Sequence, residues 1–355
     1  MALLFIDGFD HYDPQARDAL GDAMLARGKA AYLSPDATRI VGRRPSSWAL
    51  RLPVGNGGGY VKNLDASVTS MLVGAALRVG PFSSGSGIEP VLLGIRDVNS
   101  QVLYLVKLGD DARLRLYRRD GTNGWDQLLS TSISTAAHRG WHYVELQVVQ
   151  SNSLGSLQVR LNGILAINLA GQNTIQSGGA LLTTFVGAVP SQPAQVTIDV
   201  DDLYIADTSG TLNNTFLGDV RVDVLLPNEA GTFNQFTSTP LATPPWQIAS
   251  DNDEATVLSA TAASQRQSFG FAALPVMGTP TICGVQVTSL ARKTDAGTTS
   301  MRALAANGGV VSVSNAINLQ EQAAWNAAVI ERNPNGSAAW TEATLNSAEF
   351  GVESV

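Results

Sequence analysis

The chain has 355 residues, of which 44 % are hydrophobic and only 15 % charged, a size that favours more than one domain and a charge content well below the usual quarter. Scarce charge excludes a protein of Lys/Glu-faced helices and favours all-β structure. The formal net charge of −7 is uneven: residues 1–210 hold 17 basic and 18 acidic side chains, residues 211–355 hold 6 and 12. Neither half offers the basic surface that nucleic acid requires, and the acidic half is repelled by an anionic membrane.

Cys283 is the only cysteine, so no intrachain disulfide is expected, and its TICGVQV context reads as a small buried hydrophobe. The opening MALLFIDGFD has no basic region ahead of its short apolar run, and no stretch approaches the roughly 20 apolar residues of a membrane span. Synthesis in a cytoplasm without a signal peptide or membrane insertion is the expectation.

In chain order, Met71–Val79 and Val91–Ile95 are apolar runs divided by the loop PFSSGSG. Gln101–Leu108 stops at Gly109-Asp110-Asp111, and Leu114–Arg118 stops at Asp120-Gly121, which together predict a hairpin meander. In Trp141–Val149, Val144, Leu146 and Val148 alternate with Tyr143, Glu145 and Gln147, the period of a strand. Leu157–Leu161 and Ile164–Leu169 flank Asn162-Gly163, a strong tight-hairpin signal. Val196–Ile205 closes the set, and this spacing of strands and turns predicts a sandwich.

The small, polar stretch Asp207–Leu217 coincides with the change in charge balance, which places a domain boundary near Gly210. Beyond it, strands are expected at Val220–Leu226, Arg266–Leu274, Thr281–Ala291 and Met301–Val313, the last turning at Asn307-Gly308-Gly309. Gln320–Ala328 reads as a short helix, and Thr341 as the cap of a helical turn before the closing FGVES. Heptads, collagen-like repeats and solenoid periods are absent from the sequence, so no fibre shaft is expected.

Several segments together resemble tailed-bacteriophage virion proteins that carry a concanavalin A-like (laminin G-like) jelly roll. They are the opening IDGFDHYD, WALRLP with the later GGYVKNLD, HRGWHYVELQVV with GSLQVRLNGILAINLAGQNT, the junction IDVDDLYIADTSGTLNNTFLGDVRVDVLLPN, and the ending WTEATLNSAEFGV. The resemblance implies two β-sandwich domains in tandem, a concanavalin A-like one at 1–210 and a second β-rich assembly domain at 211–355. It implies a non-enzymatic structural subunit of the virion in the tail, an appendage or a head decoration, assembled in the host bacterial cytoplasm. Its partners would be other copies of itself and neighbouring virion proteins, with trimers favoured. The alternative is a receptor-recognition lectin at the tail tip that binds host surface glycan.

Lectin-like sandwiches often bind Ca²⁺ through loop and strand-end carboxylates. Asp199, Asp201 and Asp202 are the candidates, with Asp199 and Asp201 on one strand face and Asp202 on the other; pairing with arginines such as Arg51 or Arg78 is the competing role. Asp7, Asp10 and Asp13 read as a solvated edge. For a sugar site the aromatic platforms are Trp48, Tyr60, Tyr117 and Trp125, of which Tyr117 and Trp125 with Asn123 of the DGTNGW loop form the best set. Catalytic patterns are weak: Glu145 stands alone in its strand where a glycosidase needs paired carboxyls. The sequence contains no GxSxG, HExxH or phosphate loop, and His138 and His142 read as turn and sheet histidines. No cofactor beyond a possible Ca²⁺ is expected.

Overall fold

The computed structural model describes residues 2–10, 30–34, 36–54, 59–80, 87, 89–119, 124–132, 140–175, 179–187, 196–251, 253–275 and 278–355. These fall into two compact units, essentially 4–222 and 223–355. Both are antiparallel β-structures, and strands are numbered in chain order.

In the first unit, sheet A runs β13 (Ile164–Gln172), β12 (Gly155–Leu161), β11 (His142–Val149), β6 (Ser70–Val79), β15 (Val196–Ala206), β4 (Trp48–Val54) and β3 (Thr38–Val41), with β1 (Leu3–Asp7) also pairing on β15. Sheet B runs β10 (Trp125–Ser132), β9 (Arg113–Arg119), β8 (Val102–Leu108), β7 (Val91–Asp97), β14 (Leu181–Val186), β5 (Tyr60–Val68) and β2 (Tyr32–Leu33). The inner faces share one core, in which Met71, Val73, Ala75 and Leu77 of β6 meet Val144, Leu146 and Val148 of β11 and Leu93, Ile95, Val106 and Leu116 of sheet B. Val144, Leu146 and Val148 thus take the inner face that their alternation predicts.

The hairpin of β12 and β13 turns on Asn162 and Gly163 at φ of 50° and 77°, the left-handed pair that a type I′ turn needs. Four strands that the sequence pattern did not single out, β2, β5, β10 and β14, complete sheet B. The DGTNGW segment accordingly does not end in a loop: Trp125 opens β10 opposite Arg119.

Cross-strand register aligns one residue from every strand of sheet B into a row: Gln127, Tyr117, Leu105, Gly94, Phe185, Val61 and Tyr32. Val61, Leu105 and Phe185 of this row form a second apolar cluster with Val91, flanked by Tyr32, Val102 and Tyr117. The Phe185 ring fills the space above Gly94, where a Cβ would sit 2.2 Å from Phe185 Cζ.

The compact first unit runs on to Val222, past the Gly210 boundary drawn from composition, because residues 207–222 lie along the outer face of sheet A. Val220–Leu226, expected as a strand, has no ladder partner; the hydrogen bonds of Val220 and Val222 go to groups described below.

In the second unit a sheet runs β16 (Pro227–Asn234), β19 (Arg266–Phe271), β25 (Glu349–Ser354), β21 (Ser300–Asn307) and β22 (Val310–Val313), with β23 (Ile317–Asn318) beside β21. Two smaller ladders pair β17 (Thr237–Thr239) with β18 (Val257–Ser259), and β20 (Val285–Ala291) with β24 (Ala324–Ile330). Gly308 and Gly309, at φ of 56° and 81°, make the expected turn between β21 and β22. The expected helix at Gln320–Ala328 does not form: residues 320–323 are irregular and Ala324–Ala328 open β24. Its alanines pair in register with β20 from Val285 to Ala291, and tertiary pairing overrides alanine's helix preference.

Short helices sit at α1 (Pro245–Ile248) and α2 (Glu342–Asn346). Thr341 caps α2 as expected, its Oγ1 accepting from Thr344 N at 3.2 Å. One apolar cluster of this unit gathers Trp340, Phe350, Leu345, Ala305 and Ala348, with Trp340 and Phe350 ring centres 5.6 Å apart. Cys283 is half-buried, and burial raises its thiol pKa.

Gly94→Ala is expected to destabilise the chain by about 1–3 kcal/mol in urea unfolding, because Phe185 must leave its place. Adding Phe185→Leu should recover part of that loss, and a purely additive double variant would refute the pairing.

Candidate functional site

The acids of the last jelly-roll strand lie on the outer face of sheet A. Asp199 of β15 stands in register between Arg51 of β4 and Arg78 of β6. Arg51 donates to both its oxygens at 2.7 and 3.0 Å, and Arg78 Nε donates at 2.8 Å. The Arg78 guanidinium also covers the Trp141 ring at 4.8 Å. Both arginines named from sequence therefore pair with Asp199, and Trp141 packs on one of them just before its strand begins.

Asp202 has φ of 48° and lies in a register shift between Asp201 and Tyr204, a bulge that re-aims a side chain. The expected alternation fails here, and Arg43 meets both acids. Its Nε donates to Asp202 Oδ2 at 2.6 Å, while its backbone N–H donates to Asp201 Oδ2 at 3.1 Å. Arg44 adds a forked pair to Asp202 at 2.6 and 2.9 Å.

The same cluster fastens residues 207–222. Val222 N–H donates to Asp202 Oδ1 at 2.7 Å, and Arg43 reaches Asp219 and the Val220 carbonyl. Farther along, Gly218 N–H donates to Glu145 Oε1 at 2.9 Å, an oxygen that also accepts from Tyr204 at 2.6 Å. Arg160 stacks over Phe216 at 4.4 Å. This strap covers the middle of the outer face, and Glu145, Asp201, Asp202 and Tyr204 there are without solvent exposure.

Each oxygen of Asp199, Asp201 and Asp202 accepts from a guanidinium or a backbone N–H, a donor set that suits arginine and does not fit Ca²⁺. Among the described residues no group of three or more His, Cys, Asp or Glu side chains is placed to hold a metal. Asp201 is pushed up to about 7 by burial and the neighbouring Asp202 charge, against the lowering effect of its N–H partners.

The second acidic group also departs from expectation. Asp7 is buried and accepts from Phe9 N–H at 2.9 Å, and Asp10 accepts from Trp48 N–H at 2.6 Å; Asp13 lies outside the described residues. His142 contacts Asn162 at 3.1 Å, and His138 lies outside the described residues.

The aromatic candidates divide between core and surface. Tyr60 is fully buried, and Trp48 is covered by Arg39 at 4.5 Å. Tyr117 and Trp125 come together: Gln127 faces Tyr117, and Trp125 shares Gln127's face two residues away, making Trp125 and Tyr117 diagonal neighbours on the outer face of sheet B, roughly 7 Å apart. Trp125 is 38 % exposed. Asn123 lies outside the described residues.

Tyr117 donates to Glu89 at 3.0 Å and lies under Lys107 at 4.6 Å. Burial, then the Glu89 bond, pushes its hydroxyl up to about 12. Arg115 pairs with Glu89 at 3.1 Å and Asp111 at 2.7 Å. Arg96 of β7 sits over Phe185 at 4.9 Å. The arginines that complete both faces, Arg43, Arg44 and Arg96, escaped the sequence reading; an Arg-Arg pair in so sparsely charged a chain was the available signal for the first two.

No family model matches the chain, and no curated protein matches it. Among solved structures, it is similar to the binding domain of Paraclostridial Mosquitocidal Protein 1 (13 % identity, 49 % of this chain and 43 % of that one, TM-score 0.37). It is similar to the botulinum neurotoxin type G receptor binding domain (10 %, 49 % and 41 %, 0.37) and to an endo-β-1,4-glucuronan lyase from Trichoderma reesei (11 %, 48 % and 87 %, 0.33). The match spans less than half the length of the first two. None of the three is a phage protein, and what they bind or act on belongs to them.

Asp202→Ala is expected to lower stability by on the order of 3 kcal/mol, since it strips the buried partner from two guanidinium groups, and to open residues 207–222 to limited proteolysis. Intact protection of the strap would disprove the clamp. Because the folded pKa of Asp201 is raised, the folded state holds its proton more tightly than the unfolded one. Its contribution is therefore full below about pH 4 and is lost as pH rises toward 7. Between about pH 5 and 7.5, wild type should lose stability relative to Asp201→Asn, and parallel curves would contradict the assignment.

Proposed function

We propose that the chain is a non-enzymatic structural subunit of a tailed-phage particle that works by protein–protein assembly. The observation that carries the non-enzymatic part is the role of the buried acids. Asp199, Asp201, Asp202 and Glu145 hold arginines, a tyrosine and strap N–H groups, so their charge serves architecture. The particle context is supported by the resemblance of the junction IDVDDLYIADTSGTLNNTFLGDVRVDVLLPN, which is the strand and strap that these acids secure.

Assembly has a candidate edge. β13 ends sheet A and reads ILAINLAGQ, without a charge or a proline, the features that usually protect an edge from pairing. Ile164 and Leu165 at its start are 74 % and 44 % exposed. A second reading, glycan recognition, is favoured by the exposed Trp125 beside Tyr117 on sheet B.

Antibody against the full chain should label tailed particles purified from cultures that carry the gene, and the purified chain should sediment as a closed oligomer. Ile164→Lys should shift that oligomer toward monomer with an unchanged circular dichroism spectrum. Unlabelled particles together with a monomeric wild type would overturn the proposal.

A further inference from the structure

The outer face of sheet B carries a half-buried cation, Arg96, that pairs with no acid among the described residues. Arg96 lies over Phe185, its Nε is buried without a hydrogen-bond partner, and it makes no ion pair with a described residue. Burial alone acts on its pKa, lowering it. A desolvated guanidinium left unpaired is costly; Arg160 on sheet A is likewise without an ion pair to a described residue, but it lies against Phe216 of the strap. Other cations of this face differ: Lys107 and Arg115 share Glu89.

Arg96 also stands beside a platform. It lies two residues along β7 from Gly94, in the row that joins Tyr117 to Tyr32. Tyr117 is two strands from Gly94, about 10 Å away at the usual spacing, with the exposed Trp125 on the next strand. Aromatic faces stack on sugar rings, and a planar guanidinium takes a carboxylate through a forked pair.

We infer that this face binds an acidic polysaccharide, with Arg96 taking a sugar carboxylate and Tyr117 and Trp125 supporting the adjoining rings. The inference rests on the glycan-recognition reading and names its substrate class. The chain's net charge of −7 opposes diffuse attraction to a polyanion, so retention has to come from a local site.

Affinity electrophoresis of the full chain in gels containing polygalacturonate, its methyl ester or dextran tests this. Polygalacturonate should retard wild type at least about tenfold more strongly than the ester, which has the same backbone without the charge, and added salt should weaken the effect. Arg96→Gln should lose that retardation while unfolding at the wild-type urea midpoint, and Trp125→Ala should weaken it. Arg332→Gln, the same charge change at an exposed position of the second unit, should keep it. Retention of the ester or dextran equal to that of polygalacturonate, or undiminished retention of Arg96→Gln, overturns the acidic class and leaves glycan recognition standing. No retardation in any gel overturns both.

Discussion

A carboxylate removed from water must find a cation or N–H donors, and the first unit is organised around meeting that demand at Asp202. The bulge at this residue brings Asp201 and Asp202 together under Arg43, and Arg43 in turn reaches the segment that follows the jelly roll. Without the bulge, strict alternation would send Asp202 into the apolar core between the sheets. The arginine cluster, the strap and the dryness of the acids beneath it all depend on that one departure from regular strand geometry.

The two outer faces solve the same problem differently. On sheet A, polar side chains are buried beneath the strap: Tyr143 donates to the Asp202 carbonyl at 2.9 Å, and Tyr204 donates to Glu145. Gly74 leaves room for the Tyr204 ring. On sheet B the buried part is apolar, centred on Phe185, and the charged groups stand around it. One face is therefore closed by the chain's own continuation, while the other keeps aromatic and cationic groups at its surface.

Alternation and turn chemistry made much of the sandwich legible. Val144, Leu146 and Val148 point inward as their spacing requires, and Asn162-Gly163 turns where its left-handed preference says. What escaped was decided by partners distant in sequence. β24 is alanine-rich and becomes a strand because β20 lies beside it. Trp125 sits next to a Gly/Asn-rich stretch and becomes a strand residue because Arg119 faces it. The pairing of Asp199 with Arg51 and Arg78 was visible as a possibility, whereas the bulge and its arginines were not, since a backbone irregularity at a non-glycine residue leaves no periodic trace. Residues 207–217 read as a boundary by composition, yet the segment that runs through them to Val222 is held by side chains 20 to 177 positions earlier.

The order of strands in sheet A has a consequence for how the protein is made. β15 lies between β6 and β4 yet is the last of the sheet's strands to leave the ribosome. Until about residue 206 has emerged, the sheet is two separate pieces, with the flanks of β6 and β4 open to whatever strand comes near. Closure then requires threading a strand rich in Asp between two formed edges, a non-local step of the slow kind. Arg51 and Arg78, waiting on those edges, give the incoming strand an electrostatic register mark at Asp199, so the same ion pairs that hold the finished sheet would also align its final insertion.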